Sequence, residues 1–159
     1  MRPLQPADTT VVWEAYRRQQ HGADLHDDLA TDWSLPDFDR LLWRGGAAQF
    51  VELDDAAVLA GLGRLVDIDF RNRAARFEFW RLSSADPLVA ARLTAASLDH
   101  AFRALGLHRV GFLLPAYLVG ADYEVVSSHF EPEGTLTDYV FRRGRSWDVH
   151  AFATLGRGA

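Results

Sequence analysis

Glu78 lies inside Ala75 to Arg81, a run in which apolar and polar residues alternate as they do along a β-strand. Strand parity puts Arg76 and Trp80 on the face that carries Glu78. A carboxylate so placed can take a proton from an acceptor amine, directly or through water. It can also do no more than pair with Arg76 at the surface. Asp67 and Asp69, at the end of the preceding apolar run, can bind a cationic acceptor or remain as solvated strand-end charges. The densest polar cluster is the segment with His21, His26, Asp27 and Asp28. Histidine serves as base or metal ligand near neutral pH. The H-x4-H-D-D spacing matches no established metal template, so no metal is expected and a solvated loop is the simpler reading. Tyr139 is expected to face Asp148 across a hairpin and donate its hydroxyl to that carboxylate.

The elements that must hold these groups follow from patterning. Arg2 to Gln5 reads as a first strand, and Asp8 as the cap of a helix that ends near Gln20 and Gly22. Pro36 opens a second helix, closed by Gly45-Gly46. Ala48 to Leu53, Ala57 to Asp69 and Ala74 to Leu82 read as strands. Asp86-Pro87 starts a strong helix whose apolar stripe is Leu88, Ala91, Ala95, Leu98, Phe102 and Leu105, ended by Gly106. His108 to Leu114 is a buried strand stopped at Pro115, and Val119 to His129 a weaker helix. Thr135 to Phe141 and Trp147 to Thr154 form a hairpin around Arg142-Arg143-Gly144-Arg145. The order β-α-α-β-β-β-α-β-α-β-β calls for an α/β fold, a mixed sheet with helices on both faces.

The 159 residues suit one domain with a sizeable core, residues 1–159. There is no cysteine, which excludes disulfides, thiolate metal sites and a cysteine nucleophile. No apolar run is long enough to cross a bilayer and no signal-like segment opens the chain, so neither membrane nor export is expected. A cytoplasmic location fits. The net charge of −5 and the lack of a dense basic run argue against nucleic acid. All 17 basic residues are arginine, as a GC-rich coding source produces. Trp13, Trp33, Trp43, Trp80 and Trp147 can serve core packing, a ligand pocket or a homodimer surface.

Phe130, Glu133, Gly134, Tyr139, Gly144 and Asp148 lie in the order and spacing of a known C-terminal signature. Gly106-Leu107-His108-Arg109-Val110 matches its helix-to-strand junction. Ile68-Asp69, Arg71 to Ala74 and Trp80 match its middle strands, and Arg2-Pro3-Leu4 with Asp8 its start. Together these residues resemble the GNAT acyltransferase superfamily, in the branch similar to ribosomal-protein alanine N-acetyltransferases. The resemblance runs over nearly the whole chain.

It implies transfer of an acyl group from acetyl-CoA, or another acyl thioester, to an amine of a small molecule or a peptide. The donor would lie in a V-shaped opening between the fourth and fifth strands. Family members cradle its pyrophosphate with a glycine-rich loop at a helix N-terminus, where amides and the helix dipole favour an anion. Here the equivalent Ser83 to Arg92 has no glycine, Asp86 caps the helix, and Pro87 removes a donor. Ser83, Ser84 and Arg92 are the groups left to bind the cofactor. Leu118 and Ala121 fall where the family has asparagine and serine; a shifted register brings Tyr117 or Tyr123 to the acid role, with Glu78 as base. The family's first inter-helix loop shapes the acceptor site, which makes His21, His26 and Asp28 substrate-binding candidates, together with Trp80 on the Glu78 face and Tyr139 of the hairpin. Three readings stay open: an acetyl-CoA-dependent acyltransferase, an enzyme of this fold that uses another donor or reaction, and a non-catalytic binding protein.

Overall fold

The computed structural model describes residues 1–19, 34–43, 48–53, 58–82, 87–118 and 120–156. The elements are β1 (Arg2–Pro3), α1 (Thr9–Gln19), α2 (Leu35–Trp43), β2 (Ala48–Leu53), β3 (Leu59–Asp69), β4 (Ala74–Arg81), α3 (Pro87–Asp99), β5 (Arg109–Pro115), α4 (Ala121–Ser127), β6 (Glu131–Arg142) and β7 (Arg145–Leu155). Their order is the expected one. One seven-stranded sheet runs β1-β2-β3-β4-β5-β7-β6. Its neighbours are antiparallel, except that β4 and β5 run parallel. Two buried clusters sandwich it. One joins Phe77, Phe79 and Phe112 to Leu93 of α3 and to Tyr123 and Val126 of α4. The other joins Leu62 and Trp80 to Val12 of α1 and to Phe38 and Leu42 of α2. Among the described residues no helix is long and apolar enough to cross a membrane.

Local chemistry explains the ends. The β6–β7 turn is two residues long, and both Arg143 and Gly144 have positive φ (50° and 78°), the conformation that matches the twist of a hairpin. Ser34 caps α2 through hydrogen bonds exchanged with Asp37. Asp8 does not cap α1 as expected. It closes a short 3-10 turn, Pro6–Asp8, ahead of that helix. Its carboxylate accepts the Gln5 amide at 2.8 Å and both terminal nitrogens of Arg2 at 2.6 and 2.7 Å. The Arg2 hydrogen bonds are the largest cause holding the Asp8 carboxyl below its ordinary range, and partial burial works against them. A carboxylate lowered on folding adds stability that is complete above its unfolded value of about 3.9. That contribution is lost as the pH falls through the folded value. Acid titrations of the wild type and Asp8→Asn should therefore diverge above about pH 4 and converge in stronger acid.

The expected stripe on α3 is displaced. Leu88 is 65 % exposed, and the buried face is Val89, Ala90, Leu93, Thr94, Ser97 and Leu98. The face carries two polar residues, Thr94 and Ser97, and β3 meets it at Leu93 and Ser97 with glycines. A Cβ on Gly61 would lie 2.8 Å from Leu93 Cδ1, and one on Gly63 would lie 2.9 Å from Ser97 Oγ. Thr94 satisfies its hydroxyl on the Ala90 carbonyl at 2.8 Å, whereas the buried Ser97 hydroxyl has no partner among the described residues. After Asp99 the helix widens into a π-turn, His100–Ala104, which shifts its phase. His100 is half-buried with its ring 5.2 Å from Phe50. Gly63→Ala should cost about 1–3 kcal/mol by overpacking. Adding Ser97→Ala should recover part of the loss, since it removes the closest clash and the orphan hydroxyl but leaves Phe77 Cε2 at 3.2 Å. Urea unfolding of the two single variants and the double variant tests this; additive losses would refute it.

β6 is the sheet edge. Its residues from Glu131 to Tyr139 are all exposed, and its pairing with β7 is interrupted between Pro132 and Gly134 and between Leu136 and Val140.

Candidate active site

The parallel ladder between β4 and β5 holds from Ala74↔Arg109 to Phe77↔Phe112 and then stops. Beyond that point β4 stays paired to β3 as far as Arg81, and β5 stays paired to β7 as far as Pro115. The two inner edges, Glu78–Arg81 and Leu113–Pro115, thus part from each other and present backbone groups with no ladder partner between them. This is the opening that the resemblance placed between the fourth and fifth strands.

A cavity lies on each side of the split, and Pro115 lines both. One, of about 160 Å³, is lined by Arg76, Glu78, Leu113, Tyr139, Val140 and Val149 among others. The other, of about 230 Å³, is lined by Leu114, Leu118, Tyr123, Glu124, Ser127 and His150 among others. A molecule reaching through the split would meet Glu78 and Tyr139 on one side and Tyr123 on the other.

Glu78 is held by two guanidinium groups. Arg64 reaches one carboxylate oxygen at 3.1 Å, and Arg76 reaches the other at 3.3 Å. Arg64 is 4 % exposed, donates also to the Leu41 and Leu42 carbonyls at the end of α2, and lies 4.8 Å from the centre of the Trp80 ring. Burial pushes its guanidinium below the ordinary value, and Glu78 works against that fall. Parity had placed Arg76, Glu78 and Trp80 on one face, and the network confirms it. Trp80 itself is buried against Phe38 and belongs to the core. It underlies the site through Arg64 and does not line either cavity.

Arg76 also pairs with Asp67 at 2.8 Å. A bulge in β3 between Val66 and Asp69 turns Asp67 toward it, at a φ of 51° that is costly for a residue with a Cβ. Sequence reasoning named Asp67 but could not see this contact, because a bulge breaks the parity rule it used.

Tyr123 is 2 % exposed, packs edge-on against Phe79 at 5.7 Å, and has the Arg81 guanidinium 5.1 Å from its ring centre. Arg81 also reaches the buried Asp122 at 3.0 Å, which ties the end of β4 to α4 across the mouth of the split. Leu118 is buried and Ala121 exposed, so Tyr123 is the α4 residue of that alignment that turns inward. Tyr117 faces the hairpin, with Trp147 and Arg142 against its ring.

Tyr139 does not meet Asp148 as expected. The irregularity between Leu136 and Val140 sets Asp138 at a φ of 50°, and the Asp138 amide donates to Asp148 at 2.9 Å. Tyr139 is left 61 % exposed at the rim of the cavity beside Glu78. Arg92, expected to hold a pyrophosphate, donates instead to Glu52 of β2 at 2.8 Å. Ser83, Ser84, His21, His26 and Asp28 lie outside the described residues. Among the described residues no cluster of His, Asp or Glu could hold a metal ion.

The fold as a whole is similar to solved acetyltransferases. Spermidine N-acetyltransferase from Vibrio cholerae in complex with CoA and spermine aligns with a TM-score of 0.78 at 22 % identity, over 98 % of this chain and 94 % of that one. A chimera of the Vibrio cholerae enzyme with hSSAT aligns at 0.75 and 23 %, over 98 % and 94 %. A structure described as a probable acetyltransferase aligns at 0.75 and 22 %, over 98 % and 92 %. No protein-family model and no curated protein matches the chain. At this identity the likeness establishes the fold, which is the GNAT fold.

Proposed function

We propose that the chain is a GNAT-type N-acyltransferase that moves an acyl group from a CoA thioester to the amine of a small molecule. The observation that carries this reading is the split of β4 from β5, open on both sides, with Glu78 and Tyr139 on one and Tyr123 on the other. The similar enzyme that was solved with CoA and spermine supports it. The resemblance to ribosomal-protein alanine N-acetyltransferases adds a peptide N-terminus as a second acceptor class.

A bound acyl thioester supplies an electrophilic carbonyl and a thiolate leaving group. The chain's residues do the rest. Glu78 takes one proton from the acceptor ammonium, directly or through water. The freed amine forms the new C–N bond. Backbone N–H groups on the β4 edge donate to the carbonyl oxygen as it gains charge. Tyr123 gives its phenolic proton to sulfur as the C–S bond breaks, and the second amine proton restores the phenol. The products are an amide, a thiol and the proton held by Glu78.

The residues present fit the thioester end of this donor, because the parted edges leave backbone groups to bind it. At the pyrophosphate end the described residues offer the first-turn amides of α3, less the one Pro87 lacks, and Arg92 is engaged with Glu52. Affinity should therefore rest on the pantetheine arm. Acetyl-pantetheine is expected to react with a kcat/KM within about tenfold of that of acetyl-CoA, a difference near 1.4 kcal/mol. A loss of a thousandfold would place strong phosphate recognition in residues 83–86. The few phosphate-end donors among the described residues also favour, as a second reading, an acyl donor carried on something other than CoA. Calorimetric titration with acetyl-CoA, followed by transfer to amine and peptide panels, tests the main reading. Flat titrations at millimolar donor with no transfer would overturn it.

A further inference from the structure

The cavity beside Glu78 differs from what a polyamine needs. Its charged lining residues are Glu78 and Arg76, neighbours on one face of β4 with oxygen and nitrogen 3.3 Å apart. Behind them Arg64 takes the second Glu78 oxygen, and beside them Asp67 pairs with Arg76. These four groups, two cations and two anions, leave no excess negative charge to attract an acceptor with several ammonium groups. They do present one anion and one cation side by side. The Nε–H of Arg76 is buried and has no acceptor among the described residues. A buried donor left unpaired is costly and is ordinarily satisfied by a ligand or water. The remaining lining, including Phe77, Phe112, Leu113, Val140 and Val149, is apolar.

We propose that the acceptor is a zwitterion, an α-amino acid with an apolar side chain. Its amino group goes to Glu78 and its carboxylate to Arg76. The proposal rests on the acyltransferase reading for the reaction, but not for the binding. An α-amino acid carries its two charges about as close together as the Arg76–Glu78 pair, and a planar guanidinium binds a carboxylate through paired N–H donors. Asp67 stands in for that carboxylate when the site is free of ligand. It is 72 % exposed along its side chain, so its ion pair is worth little and is readily displaced. Its strained φ and the bulge that aims it at Arg76 are the local cost of this arrangement.

Matched acceptors isolate the carboxylate. With acetyl-CoA as donor, phenylalanine should exceed phenethylamine in kcat/KM by at least about tenfold, and spermidine should be the poorest of the three. Arg76→Gln should cut the phenylalanine to phenethylamine ratio at least tenfold. Asp67→Asn, at an exposed position, should lower the KM for phenylalanine by removing its internal competitor. A preference for phenethylamine or spermidine, or an unchanged ratio in both variants, would overturn the proposal. Direct calorimetric titration of the donor-free protein with phenylalanine and with phenethylamine separates the two failures. If transfer is absent but phenylalanine binds more tightly and Arg76→Gln weakens it, the zwitterion site stands and the acyl-transfer reading falls. If phenylalanine binds no better than phenethylamine, the zwitterion site falls whatever the reaction.

Discussion

Replacing Arg64 by alanine is expected to lower the unfolding free energy by about 3–5 kcal/mol, the usual result of removing one partner of a buried ion pair. Three groups lose their donor together: one oxygen of Glu78 and the carbonyls of Leu41 and Leu42 at the end of α2. The Leu42 carbonyl keeps a hydrogen bond from Gln49 at 2.5 Å, so the heavier losses fall on Leu41 and Glu78. Trp80 also loses the guanidinium over its ring, and a cavity opens between the sheet and α2. At about 2–4 °C per kcal/mol for a domain of this size, the melting midpoint should fall by roughly 10 °C. Arg64→Met combined with Glu78→Gln should cost less than the alanine variant, because the methionine fills the space over Trp80 and the amide needs no second counter-charge. Urea unfolding of the three proteins is the measurement. A loss below about 1 kcal/mol in the alanine variant would mean that the network does not bear on stability.

Tyr123→Phe is expected to lower kcat by about a hundredfold, the lower range of what a positioned acid contributes. The ring would still pack on Phe79, so the protein should fold, and KM for the thioester should change little. The effect should also depend on the leaving group: a thioester of a more acidic thiol needs less proton donation and should show a smaller loss. Equal losses with both thioesters, or a loss confined to KM, would assign Tyr123 to packing alone.

Strand order and helix order were legible because each element carries its own period and its own breaker. The hairpin is the clearest instance, since Arg143-Gly144 supplies the two positive φ values a tight turn demands. The parity argument on β4 also held, since no bulge interrupts the strand between Arg76 and Trp80. Reading failed where a partner element decided the outcome. The buried face of α3 was misplaced because Gly61 and Gly63 accept Leu93 and Ser97 closely, which no pattern of apolar residues within the helix reveals. Asp8 was misread as a cap because its carboxylate is drawn to Arg2. The pairing of Arg92 with Glu52, forty residues away, was likewise invisible to a reading of the helix alone. The Asp67–Arg76 contact depends on a bulge, and one inserted residue reverses every face assignment that follows it.

The exposure of β6 sets how the wall beside the Glu78 cavity can breathe. From Glu131 to Tyr139 neither face of that strand is covered, and one edge has no neighbour. Its backbone is retained by hydrogen bonds to β7 alone, interrupted twice. Opening it exposes little apolar area, so its amides exchange with solvent through local fluctuations and not through global unfolding. β3, flanked on both edges and buried from Leu59 to Val66, belongs to the opposite regime. The strand that carries Tyr139 is therefore soft, whereas β3, which pairs with β4 at Arg64↔Glu78, is a rigid backing for Glu78. On the proposed reading, acceptors of different bulk are admitted by yielding of the hairpin while the Glu78 carboxylate stays where Arg64 holds it.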